Sequence, residues 1–150
     1  MKRMIFSMLI IAGASLNVNA QVEYKVVTTI ESIVPMGIGR SRIIENTENV
    51  DATALTTERV NGKKSNMKSV KRKKAKINRL NETKLLNFYS IAGINFQNIA
   101  SNDALITSKL NNLSQEGWEL FSVVSGVESD GGETDGQGIY ITRFIFKRSL

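Results

Sequence analysis

The chain has 150 residues, enough for one domain with a buried core and too few for two comfortable ones. Histidine and cysteine are both absent, which removes Ser-His-Asp and Cys-His nucleophiles and conventional zinc sites and leaves carboxylates, Lys, Tyr, Ser and Thr as the only catalytic candidates. The formal charge is +6, but nine bases (Lys63, Lys64, Lys68, Lys71, Arg72, Lys73, Lys74, Lys76 and Arg79) crowd into residues 61–79 with no acid among them.

Lys2 and Arg3, the apolar run 4–14 and the small residues of Val18-Asn19-Ala20 predict a signal peptide over residues 1–20. A membrane span needs about 20 apolar residues, and Asn17 and Asn19 interrupt this run first. The expectation is a mature chain from Gln21, one domain over 21–150, periplasmic or secreted, with no membrane span after cleavage. Without residues 1–20 the net charge is +4, so everything outside 61–79 sums to −5.

Val22, Tyr24, Val26, Thr28 and Ile30 alternate with their neighbours and predict a strand. The only proline, Pro35, with Gly37 and Gly39, marks a turn before a short second strand over 40–45. That GxG lacks the spacing of a phosphate loop, so Arg40 and Arg42 belong to a solvated strand edge. Residues 45–60 are polar and weakly periodic, with 54–60 a possible strand. The basic run follows as a solvated insertion; Met67, Val70 and Ile77 share a helical face, but Lys74 interrupts it.

Asn81 is placed as the cap of a helix over 81–92, with Leu85, Phe88, Tyr89 and Ala92 on one face and Gly93 as its stop. A second helix over 102–116 carries Ile106, Leu110 and Leu113, with Leu105 widening the stripe, Ser101 or Asn102 as cap and Gly117 beyond its end. Residues 118–124 and 139–147 alternate as two strands around the turn-rich stretch 125–138. That stretch holds Glu128, Asp130, Glu133 and Asp135, whose spacing fits neither an EF-hand nor a calcium-binding repeat, so it reads as a loop. Both strands are apolar on both faces: Trp118, Leu120 and Val124 oppose Phe121 and Val123, and Tyr140, Phe144 and Phe146 oppose Ile139, Ile141 and Ile145. One face therefore takes helix 102–116 and the other the 81–92 element or a second subunit. The expected fold is α+β: a small, mostly antiparallel sheet of split β-α-β type, first strand beside last, with an amphipathic helix on one face.

Three motifs, Glu23-Tyr24-Lys25-Val26-Val27, Glu116-Gly117-Trp118-Glu119-Leu120 and Phe144-Ile145-Phe146-Lys147-Arg148, resemble the domain of unknown function 4177 family. The resemblance covers the first strand and about the last fifty residues, and a long insertion over 31–100 sets this chain apart as a longer exported variant. It implies structural roles for Gly117, Trp118, Leu120, Phe144 and Phe146, and no activity, cofactor or catalytic residue.

The functional expectation is a non-enzymatic exported binding or structural module of the bacterial cell envelope, with no cofactor or metal. An alternative is an anionic polymer, nucleic acid or acidic polysaccharide, bound through the nine bases of 61–79. A further alternative, a hydrolase using paired carboxylates, would have to place its acids on a glycine-rich loop, where little burial is available to raise a pKa. An envelope protein or a second copy of the chain is the other partner considered.

Overall fold

A computed structural model of the protein describes residues 21–32, 40–90, 92–127 and 138–150. It is an α+β structure whose main feature is a five-stranded antiparallel sheet. Its strands are β1 (Val22–Ser32), β2 (Arg42–Asn46), β3 (Leu80–Lys84), β6 (Glu119–Val127) and β7 (Ile139–Ser149), in the order β3-β2-β1-β7-β6. The first and last strands are neighbours, paired from Val22–Ser149 to Ser32–Ile139, so the two ends of the described fold close the centre of the sheet. The run of β-branched residues in β1 suits this position, where the strand is paired along both of its edges.

The long helix α2 runs from Phe96 to Gln115. Its stripe Ile106, Leu110 and Leu113 packs on the sheet with Phe144 around a core of Val27, Ile43, Leu85, Trp118 and Phe146. The end of α2 is built as the sequence requires. Gly117 takes φ +86°, and the amides of Gly117 and Trp118 donate to the carbonyls of Ser114 and Leu113. This Schellman closure satisfies carbonyls that a helix end leaves free, and the left-handed residue favours glycine. The chain turns there and delivers Trp118 into the core.

Three expectations need correction. No helix spans 81–92: β3 occupies Leu80–Lys84, paired with β2, and a two-residue hairpin of β4 (Tyr89–Ser90) and β5 (Gly93–Ile94) follows. The free edge of β2 supplies a ladder that local helical spacing cannot match, and Gly93 at φ +111° serves the hairpin as a turn residue. Second, α2 begins six residues before 102, capped by Asn95, whose side chain accepts from the Asn98 amide, instead of Ser101 or Asn102. Third, β6 carries a bulge between Leu120 and Ser122, so Val123 shares a face with Leu120 while Phe121 and Val124 take the other. The stretch 54–60, considered as a strand, contains only short 3-10 turns at Thr53–Leu55 and Val60–Gly62. The acids Glu128, Asp130, Glu133 and Asp135 lie outside the described residues.

Candidate binding surfaces

The basic run sits between β2 and β3, as an excursion closed at its base. Glu48 accepts from the Asn78 amide at 2.8 Å and pairs with Arg79 at 3.4 Å, and the Thr47 hydroxyl donates to the Arg79 carbonyl. Beyond this neck the segment forms a 3-10 turn at Met67–Ser69 and the one-turn helix α1 (Arg72–Ala75), with no buried residue in either. Met67 is exposed and the chain is extended at Lys71 and Lys76, so Met67, Val70 and Ile77 do not build a helical face. All nine bases are exposed. Arg79 has its Glu48 partner; the other eight (Lys63, Lys64, Lys68, Lys71, Arg72, Lys73, Lys74 and Lys76) form no ion pair among the described residues. Within the segment, like charges along a short path repel one another.

The charges of the sheet are arranged differently. Glu45 points inward from β2, 8% exposed, and receives Lys25 from β1 at 3.1 Å together with Lys109 from α2. Burial pushes its carboxyl up, but the hydrogen bonds and positive charges of Lys109 and Lys25 outweigh that and hold it below the ordinary value. This triad ties helix to sheet. Asn102, fully buried, performs a similar task nearer the start of α2. Its side chain accepts from the Leu86 amide, donates to the Leu86 carbonyl, and donates to Glu31.

The three motifs behind the family resemblance meet in space. Arg148 lies 4.2 Å from the centre of the Trp118 ring and pairs with Glu23 at 2.8 Å. Lys25 stands 4.9 Å from the same ring, Lys147 pairs with Glu119 at 3.5 Å, and Leu120 is opposite Phe146 across the ladder. Of the residues expected to be structural, Trp118 and Phe146 are buried, Phe144 packs against the core, Gly117 turns the chain, and Leu120 stays 44% exposed near the sheet edge. These contacts are cation–π and cross-strand pairs that hold a fold together.

Arg42, considered as an anion ligand, pairs with Glu82 at 2.6 Å, while Arg40 is exposed at the start of the turn into β2. Among the described residues, no three Asp or Glu side chains gather as a metal cluster would need, and no helix is long and apolar enough to cross a membrane. Sequence reasoning missed Glu45, Lys109 and Asn102. Their signal was positional: Asn102 lies four residues before Ile106 and Lys109 four before Leu113, which puts both beside the apolar stripe, and Glu45 alternates with Ile43. No protein-family model, curated protein or solved structure matches the chain.

Proposed function

We propose that this chain is a non-enzymatic, exported module of the bacterial cell envelope that binds an acidic polysaccharide through the basic segment 61–79. The observation that carries this reading is the set of eight exposed bases without an ion-pair partner among the described residues, mounted on a neck that leaves the sheet undisturbed. A polyanion supplies the missing counter-charges along its length, and each contact releases bound ions or relieves self-repulsion. No aromatic residue lies between positions 61 and 79, so a single-stranded nucleic acid finds no ring on which to stack its bases. Export rests on Lys2, Arg3, the apolar run 4–14 and the small residues at Val18 and Ala20. The likeness to the domain of unknown function 4177 family agrees with a structural role for the Trp118 cluster and adds no chemistry.

The test is retention on heparin over a salt gradient, comparing the parent with a variant in which the eight unpaired bases are replaced by Gln. The parent is expected to be retained at low salt and to elute as salt screens the contact, over a Debye length of about 10 Å at 0.1 M. The variant is expected in the flow-through. A parent that is never retained, or a variant that elutes with it, overturns the reading; preference for duplex DNA over heparin at equal salt moves the assignment to nucleic acid.

A further inference from the structure

Only one face of the sheet is covered by α2. On the other, Val22, Tyr24, Val26, Phe121 and Val124 are each about half exposed, joined by Ile30, Ile44, Ile141 and Ile145. We propose that this open face binds the same face of a second copy of the chain, closing a two-sheet sandwich.

Size is the first argument. Strands of 5 to 11 residues, at about 3.3 Å per residue and about 4.8 Å apart, make a face of about 650 Å² in projection. The part shared by two copies related by an axis along β1 is about 490 Å² in projection at the same spacings, and side-chain relief carries it past the roughly 500 Å² per partner that a biological interface needs. The nine apolar side chains of this face are interrupted by Thr28, Arg42, Arg143 and Lys147, and still amount to more than the singly scattered hydrophobics of an ordinary surface. Shape is the second argument: sheet faces of this kind pack aligned on one another at about 10 Å.

Charge gives the third argument and fixes the orientation. Arg42 is paired with Glu82 and Lys147 with Glu119 within one copy, so these cations do not oppose a like surface. Arg143, in the middle of β7, is exposed and has no ion pair among the described residues. Pairing across the ladders puts Val124, Arg143, Thr28, Ile44 and Glu82 at one level of the sheet. β1 is the central strand of five, so a two-fold axis along it overlaps the faces most fully. Such an axis keeps the levels matched and lays β7 over β2 of the second copy. Arg143 then faces Ile44 and lies one strand from Glu82 of that copy, a carboxylate that already holds Arg42 and can take a second cation as Glu45 does. Thr28 lies near the axis, close to its own counterpart.

The chain contains no cysteine, so a single introduced thiol reports this geometry without interference. Thr28→Cys, on the axis, is expected to be joined to its counterpart by a short bismaleimide, since facing sheets about 10 Å apart hold the two Cα atoms too far apart for a direct disulfide, while Thr107→Cys on the solvent side of α2 is not crosslinked. Sedimentation of the chain as recovered from expressing cells is expected to show a dimer. Val26→Lys is expected to raise its dissociation constant about 30-fold or more, as loss of a central anchor does, with unchanged circular dichroism. Arg143→Glu is expected to weaken the dimer by a smaller factor. A monomer at about 100 μM, a concentration at which even an interface of only micromolar affinity would be mostly assembled, overturns the proposal. A dimer that survives Val26→Lys and does not crosslink through Thr28→Cys overturns it as well, and assigns association to another surface such as the β6 edge.

Discussion

Around Glu45, two lysines from different elements converge on one carboxylate beneath a helix; between positions 61 and 79, eight bases stand in solvent with no carboxylate beside them. The same side-chain chemistry serves two purposes, separated by where the backbone has been fixed. On the covered face, β1, β2 and α2 are held by apolar packing, so a charge placed there must find a partner and then reports on the fold. In the insertion nothing is buried, so the charges are free to report on something outside the molecule.

The comparison breaks most visibly if the covered face is hollowed. Trp118→Ala and Phe146→Ala each remove a buried aromatic ring and should cost about 3–5 kcal/mol, measured by denaturant unfolding. If either variant unfolds like the parent, the covered face is not what stabilises the domain. Glu45→Gln should cost about 2–4 kcal/mol, somewhat less than breaking a fully buried pair, because the Lys25 and Lys109 side chains keep about a quarter of their exposure. Glu45 also sets a pH dependence. Its folded pKa lies below the ordinary carboxylate value of about 4.3, so the unfolded chain takes up the proton first. The stabilisation is complete at neutral pH and is lost as the pH falls through the depressed folded value. Glu45→Gln should flatten the acid limb of a stability–pH curve; an unchanged limb removes the triad from the account.

A smaller and more local loss is expected from Asn102→Ala. It strips the Leu86 amide and carbonyl of their partner, costing about 1–3 kcal/mol. Hydrogen exchange should quicken at residues 85–90 before it quickens in β1 and β7. Uniform quickening would show that this segment does not open separately. The least effect on stability belongs to the insertion. Replacing its eight unpaired bases by Gln should leave the unfolding free energy within about 0.5 kcal/mol, as surface changes usually do, while heparin retention disappears. A large loss of stability would mean the insertion is part of the fold after all.

The sheet was legible where burial imposes a period on both faces or on one: β1, β7, the body of α2 and the Gly117 stop all follow from alternation, from the stripe Ile106-Leu110-Leu113 and from one left-handed position. Segment 80–92 was not, because Leu85, Phe88, Tyr89 and Ala92 imitate a helix while the deciding partners are distant in sequence. β2 offers its edge to residues 80–84, and Asn102 and Asn98 take up the backbone groups of Leu86 and Asn87. The early start of α2 was hidden in the same way, since Asn102 interrupts an apolar stripe that otherwise extends back to Ile99. The bases of the proposed binding segment could be picked from the sequence, because an acid-free run is visible there. Their lack of internal partners could not, since it depends on which acids the fold brings within reach.

The neck formed by Thr47, Glu48, Asn78 and Arg79 brings the two ends of the insertion together at the mouth of the β2–β3 hairpin. A chain clamped in this way pays for closure at its base, and doubling the length of what lies beyond adds only about 0.6 kcal/mol. The segment between those clamps is therefore a cassette: its length and lettering can drift, or be exchanged in the laboratory for an epitope or a different binding peptide, while the hairpin beneath keeps the same ladder. In this protein the part most open to rewriting is also the part that carries the densest exposed charge.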